Sequence, residues 1–335
     1  MLEVYLVALI FRRNKVEKYI HMSFLFKRVI AIFSFVVLPF SQVLCGQDDV
    51  IPLPITEVAP GIYVHFGVHG RLNKKNHGAI ANIGFIVGQR CVAVIDTGGN
   101  PKQGQALKAA IEATTDKSIC YVINTHVHPD HIFGNIAFKS SGVTFVGHKK
   151  LPRAMAMRSG YYLQLADRLM GLKFGEQHLI PPQLVVKDEK RLDLGGRQLV
   201  LTAHPTAHTD NDLTIYDAKT KTLWLSDLLF AEHIPVIDGS INGWISELKK
   251  LAARTDVELA VPGHGSIVKN WPMGLKQEQA YLEMLQREVR AKIKSGEYLE
   301  DAVKSVGLSA KNKWKLFEEF HRKNVTAAFA ELEWE

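Results

Sequence analysis

Apolar and polar positions fall into two blocks along the chain, each opening with strand-like runs and closing with helical periodicity. In the first block, apolar runs at 62–66, 80–87 and 92–95 have the length and β-branched content of strands. Asp96-Thr97-Gly98-Gly99 breaks the last of them, and 101–115, with Pro101 in its first turn, predicts a helix. A short strand at 121–124, a helix at 132–140, a strand at 143–147 and a helical stretch at 149–172 follow. The second block has strands at 184–187, 198–203, 213–217, 222–226 and 258–261, with a helix at 240–254 before the last of them. Helices over 273–295 and about 311–331 close the chain, while the Pro-rich 47–60 reads as an irregular lead-in. Strands then helices, twice over, predict an α/β (α+β) class protein: a four-layer αββα sandwich with its sheets face to face.

The N-terminus changes the picture of where this domain begins. Lys27-Arg28, a ten-residue apolar run at 29–38 and the small-to-polar SQVLCG read together as a secretory signal over 22–46. That run is shorter than the about 20 apolar residues that span a bilayer. The expected organisation is therefore an extension and signal at 1–46, with Met22 a candidate start and cleavage near 45–47. A domain at 47–335 with a helical C-terminal extension follows. The expected location is the periplasm or the exterior, with no stable membrane insertion once the signal is removed.

Charge then loses most of its weight. Residues 1–46 hold six Lys/Arg against two Glu, so they supply +4 of the formal +7. What remains is mildly basic and scattered, with no footprint for nucleic acid. The hydrophobic fraction of 47% is ordinary for a globular protein. Of three cysteines, Cys91 and Cys120 remain after cleavage. They either pair, as an oxidising compartment allows, or are buried singly. If their strands are parallel neighbours, both lie near the strand starts, at the end away from any chemistry.

The candidate chemistry is concentrated in Thr125-His126-Val127-His128-Pro129-Asp130-His131. Three histidines and an aspartate within six residues, in a chain with 14 histidines in 335, is a metal-ligand composition. The cluster follows one strand and precedes a helix expected near Ile132, where α/β folds place their sites. Three further ligand types stand at strand ends: His208 before 213–217, Asp227 after 222–225, and His264 in Pro262-Gly263-His264-Gly265 after 258–261. Glycine on both sides of His264 permits a tight backbone turn there. No Gly-x-Ser-x-Gly motif is present, and no nucleophile triad is evident.

His126-x-His128-x-Asp130-His131, then His208, Asp227 and His264, resembles the metallo-β-lactamase superfamily over about 58–290, and Asp96-Thr97-Gly98 matches its preceding segment. The resemblance implies His126, His128 and His208 on one metal, Asp130, His131 and His264 on a second, and Asp227 bridging. It implies two zinc ions sharing a hydroxide that attacks an ester, thioester or amide carbonyl of a small-molecule substrate, with Asp130 also orienting the nucleophile. True β-lactamases of the family usually place Cys or Ser where Asp227 stands, and its diiron oxygen reductases usually place Glu where His128 stands. A β-lactamase, an iron-dependent oxidoreductase acting on a persulfide or oxygen, and a non-catalytic accessory module are the competing readings.

More narrowly, the chain resembles quinoprotein relay system zinc metallohydrolases. The matching stretches are 231–240 (AEHIPVIDGS), the helical 149–172 and 322–329 (RKNVTAAF). This implies a functional link to a quinoprotein dehydrogenase. Asp96 is expected either to hold a ligand histidine or simply to form a turn. His233 is the best loop histidine for a substrate or ligand contact, ahead of His69 and His77. Met155, Met157, Tyr161, Tyr162, Leu165 and Leu169 are expected to form an apolar lid or to pack against the sheet.

Overall fold

The computed structural model describes residues 50–335, and the predicted signal lies outside the described residues. The first sheet contains β1 (Thr56–Ala59), β2 (Ile62–His65), β3 (Ile83–Val87), β4 (Val92–Ile95), β5 (Ile119–Ile123), β6 (Thr144–His148) and β7 (Leu184–Val186), adjacent in that order. Pairing is antiparallel from β1 to β4 and parallel from β4 to β7. The second sheet runs β12 (Leu259–His264), β11 (Thr222–Phe230), β10 (Leu213–Asp217), β9 (Gln198–Ala203), β8 (Glu189–Asp193), with β11 and β12 parallel.

The two-residue period of a strand sorts its side chains between two cores. On β4, Ala93 and Ile95 face the space between the sheets, with Ile123, Leu201, Ile215 and Trp224. Val92 and Val94 face the other way, onto Leu107 and Ile111 of α1 (Pro101–Thr114). On β11, Trp224 points between the sheets, whereas Leu223 and Leu225 point outward. They pack against α4 (Ile241–Ala252), α5 (Met273–Lys294) and α7 (Phe317–Leu332) through side chains such as Trp244, Leu282 and Val325. Helices cover both outer faces of two stacked sheets, the expected αββα arrangement. The helix ends follow their sequences: Asn100 caps α1 by accepting from Gln103 N, and Ser240 caps α4 by accepting from Gly243 N.

Several expected boundaries shift. The helix expected to start near Ile132 is the single turn α2 (Pro129–Ile132), with a 3-10 turn at Asn135–Phe138, so Asp130 and His131 lie inside a helix. The strand expected to stop at 225–226 continues to Phe230, because every residue of β11 is buried. The helical 149–172 resolves into α3 (Leu151–Leu165) and a π turn at Ala166–Met170. Two strands were not expected. β1 lies in the Pro-rich lead-in, and β8 reads as EKRLD with only Leu192 buried. Both are edge strands with one sheet neighbour, so neither needs an apolar alternation. A short α6 (Leu299–Ser305) and a 3-10 turn at Leu308–Lys313 precede α7.

Cys91 and Cys120 form a disulfide, with Cα atoms 5.8 Å apart. Parallel β4 and β5 bring Val92 opposite Ile119, so the bond staples the starts of the two strands. The ligand-bearing loops leave from the other ends. Among the described residues no helix is long and apolar enough to cross a membrane.

Candidate metal centre

Three strand ends, the interior of β11 and one helical turn converge on a cleft of about 330 Å³. His126 and His128 leave β5 on extended backbone, and Asp130 and His131 follow in α2. His208 comes from the loop between β9 and β10, Asp227 from within β11, and His264 from the end of β12. Their ligand atoms form two groups: His126, His128, His208 and Asp227, then Asp130, His131 and His264. All seven expected residues are brought together.

Asp227 lies between the groups. Its Oδ2 is 3.4 Å from both His208 Nε2 and His264 Nε2, and 3.7 Å from His126 Nε2. Its Oδ1 is 3.2 Å from His131 Nε2. Asp130 Oδ2 lies 3.6 Å from His131 Nε2 and 3.5 Å from His264 Nε2. The backbone that aims Asp227 is unusual: Ser226 has φ 48° and the β11–β12 register shifts there. Facing it, Gly263 leaves room for the carboxylate, since a Cβ at that position would meet Asp227 Oδ1.

The outer nitrogen of each imidazole is tied, which fixes what the inner one presents. His208 Nδ1–H donates to Val236 O at 2.7 Å, and His264 Nδ1–H to Ile80 O at 2.9 Å. His131 Nδ1–H donates to Asp96 Oδ2 at 2.8 Å. His126 Nδ1 is 3.0 Å from Thr125 Oγ1, whose own hydrogen is directed to Asp96 Oδ2 at 2.7 Å. His128 Nε2 faces Asp238 Oδ2 at 3.0 Å, so its Nδ1 is turned inward. There it meets His126 Nε2 and His208 Nε2, each at 3.0 Å. With their hydrogens committed outward, three lone pairs face one another. Such an arrangement repels unless a cation lies among them.

Two further observations fit a metal. His131 Nε2 and Asp227 Oδ1 are buried without a hydrogen-bond partner, and buried polar atoms are rarely left so. A tetrahedral ion with bonds of about 2.0–2.1 Å holds its ligand atoms about 3.4 Å apart, inside the observed 3.0–3.7 Å. Electrostatics follow the same division. Burial pushes His208 down to about 3 and holds His126 well below its usual value, with His131 adding to the latter. His131 is raised despite its burial by the Asp227 and Asp96 carboxylates. Burial opposes the charge of Asp227, but the facing His131, His264 and His126 hold it well below the usual carboxylate range.

Asp96, fully buried at φ 54°, accepts from Thr125 N, Thr125 Oγ1 and His131 Nδ1. It therefore holds a ligand-type histidine and is more than a turn residue. His233 lines the cleft and stacks on His264 at 5.3 Å between ring centroids. His69 instead faces Glu232 at 3.5 Å, and His77 bonds Met170 O at 3.1 Å. Of the expected lid residues, Tyr161, Tyr162, Leu165 and Leu169 line the cleft. Met155 is buried in the core behind α3, and Met157 points to solvent. Met155 lies on a different face of α3 from Tyr161 and Leu165, whereas Met157, one turn before Tyr161 on the same face, lies beyond the cleft lining.

Sequence reading missed the residues that brace the centre. Asn82 Nδ2 bonds both Pro262 O and Gly265 O, clamping the His264 turn. Asn324 Nδ2 donates to Pro235 O and its Oδ1 accepts from Ile237 N, clamping the loop that carries Val236 and Asp238. Each partner is remote in sequence, and a lone Asn carries no local signature of such a contact.

A two-sheet sandwich with a His/Asp cluster fitted to two ions defines the class: a metal-dependent hydrolase fold. The family model for the metallo-beta-lactamase superfamily matches residues 78–264, and the chain belongs to that superfamily. A metallo-beta-lactamase type 2 from Bacillus sp. (strain 170) is 24% identical over 209 residues, covering 60% of this chain and 73% of that protein. Among solved structures, a metallo-beta-lactamase from Pontibacter korlensis aligns with a TM-score of 0.56 at 19% identity, covering 69% of this chain and 99% of that one. The stereoselective inverting sec-alkylsulfatase Pisa1 from Pseudomonas sp. aligns with a TM-score of 0.63 at 17% identity, covering 83% of this chain. This chain spans about half the length of that sulfatase, 50% of it. At such identities the structural likeness shows the fold.

Proposed function

We propose that this protein is a dinuclear zinc hydrolase of an ester, thioester or amide, working in the periplasm. The observation that carries the reading is the set of inward lone pairs on His126, His128 and His208, joined through Asp227 to His131, His264 and Asp130. His126, His128 and His208 would hold one ion and Asp130, His131 and His264 the other, with Asp227 shared. Two such ions, when bound, make water acidic enough to act as a nucleophile near neutral pH and polarise the scissile oxygen.

The chain's own groups do the rest. Asp130 stands at the rim of the centre, where its free carboxylate oxygen can accept a proton from the attacking water. His233 and Phe230 wall the floor against solvent. Tyr161, Leu165 and Leu169 offer an apolar wall to an acyl chain, and Arg71 and Lys323 on the same lining favour one that ends in an anion. Imidazole and carboxylate ligands without thiolate suit zinc, and the spacing of the donor atoms fits its bond lengths. The disulfide Cys91–Cys120 supports an oxidising compartment. The link to a quinoprotein dehydrogenase belongs to the same proposal. It draws support from 231–240 and 322–329, which are joined by Asn324 into one structural unit around the site.

Metal analysis with a substrate screen tests this reading. The purified protein is expected to carry about two zinc ions, to cleave at least one ester or thioester, and to prefer these over a β-lactam or an alkyl sulfate. Asp130→Asn should lower kcat by about 100-fold or more, as loss of a positioned proton acceptor does. Stoichiometric iron with oxygen uptake, or full activity in Asp130→Asn, would sink it.

A further inference from the structure

His128 differs from the other four histidines of the centre. They turn Nε2 inward, while His128 turns Nδ1 inward and leaves Nε2 at the cleft surface. Its side chain is 18% exposed, against 1% for His126 and His208. What holds its outer nitrogen is Asp238, on the loop after β11. The Asp238 backbone N–H donates to His208 O at 3.1 Å, so the loop also grips the neighbouring ligand-type residue. The Asp238 carboxylate is gripped in turn: Arg158 of α3 donates to the same Oδ2 that faces His128. The Arg158 Nη1 atom also reaches Tyr162 Oη at 3.2 Å, one turn along α3.

We propose that Asp238, clamped by Arg158, is a positioning residue that orients His128, and that through it the cleft-wall helix α3 governs how tightly one of the two ions is held. The inference rests on the dinuclear reading above. A ring that ligates through Nδ1 needs an acceptor at Nε2 to fix its tautomer and tilt, and such outer partners are worth about 10- to 100-fold in metal affinity. Asp238 is that acceptor. Arg158 removes the freedom of Asp238 to swing toward solvent. The same helix presents Tyr161, Tyr162 and Leu165 to the cleft, so whatever fills the cleft presses on the element that carries Arg158. No hydrogen bond among the described residues joins Asp130, His131 or His264 to Asp238 or Arg158, so the effect should fall chiefly on the ion that His128 would hold.

Stepwise metal titration of the purified full chain separates this from a structural role. Zinc affinity is read by competition with a chelating dye, and cobalt(II) substitution reads ligand geometry by its visible spectrum. Asp238→Ala is expected to weaken one of two binding steps by about 10- to 100-fold and to shift one cobalt spectrum, leaving the other step within about threefold. Asp238→Asn, which keeps an acceptor oxygen, should recover part of the loss. Arg158→Met, at a half-exposed position, should weaken the same step by a smaller factor and leave the thermal midpoint near that of the parent. Equal weakening of both steps, or no change in either, overturns the proposal. A parent protein that binds no divalent ion overturns the dinuclear reading itself, a result plainly distinct from loss of selectivity.

Discussion

The two ligand groups of the centre are braced largely by different parts of the molecule, His126 being the exception, since Thr125 ties it back to Asp96. Asp130, His131 and His264 rest on the sheets: Asp96 at the end of β4 holds His131, and the Ile80 carbonyl before β3 holds His264. His128 and His208 rest on the loop at 231–240, through Asp238 and the Val236 carbonyl. That loop is itself held from outside, by Arg158 on α3 and Asn324 on α7. One group is thus built into the sandwich, while two histidines of the other depend on a helical insert and a C-terminal helix. The lesson is that a shared set of ligands need not be equally rigid, and that the variable parts of a fold can act on half of its site.

Four variants break or sharpen that contrast. Asp96→Ala should have the largest effect. It removes a fully buried carboxylate and leaves His131 Nδ1 and Thr125 N without acceptors, so about 3–5 kcal/mol of stability should be lost. Calorimetry and zinc titration should show this loss together with weakened binding at the sheet-braced group and, through Thr125 and His126, a smaller weakening at the other. Breaking the disulfide with Cys91→Ser and Cys120→Ser should cost about 3–4 kcal/mol on a chain-entropy argument, given its sequence separation of 29. Because the bond lies at the far ends of β4 and β5, both zinc affinities should stay at parent values once the protein is folded; a change in either would join the two regions.

Asn324→Ala should follow, at about 2–3 kcal/mol, since the buried Ile237 N and Pro235 O lose their partner. Its zinc titration should weaken the loop-braced group alone. The smallest effect is expected for Lys315→Met at the edge of the same loop. Lys315 first, then Ser266, hold the Glu232 carboxyl down at about 2, from an ordinary 4.5. A lowered carboxylate stabilises above its unfolded value and loses that contribution as pH falls through the folded one. The Lys315→Met deficit should therefore be present at neutral pH, shrink from about 4.5 downward, and vanish near 2. With Glu232 40% exposed, it should stay under about 1 kcal/mol, as unfolding midpoints across that range would show.

How much of this was legible depends on whether residues act locally. The ligand set was readable because six residues of sequence hold four of its members, and the rest stand at or near the ends of the apolar runs. The αββα layers were readable because strand-like runs followed by helical ones occur in two successive blocks. β8 was not, since an edge strand with one buried residue carries no periodic signal. The end of β11 was misplaced because Asp227 looks like a strand stop, yet the chain stays paired around it through the Ser226 bulge. Asp238, Arg158 and Asn324 were invisible as braces. Asp238 lies 110 residues from His128 and 80 from Arg158, and only the folded chain makes them neighbours.

Gly263 has a consequence for how this protein tolerates change. It donates no ligand atom and faces no solvent, yet the place where its side chain would stand is already taken by an oxygen of Asp227. Even alanine would have to push the shared carboxylate away from both groups at once. In a saturation library selected for activity, position 263 should behave like a ligand codon, tolerating nothing, while carrying no chemistry of its own. A map of intolerant positions would thus draw the outline of the centre one residue wider than its donors, and the extra residue would mark where the shared oxygen sits.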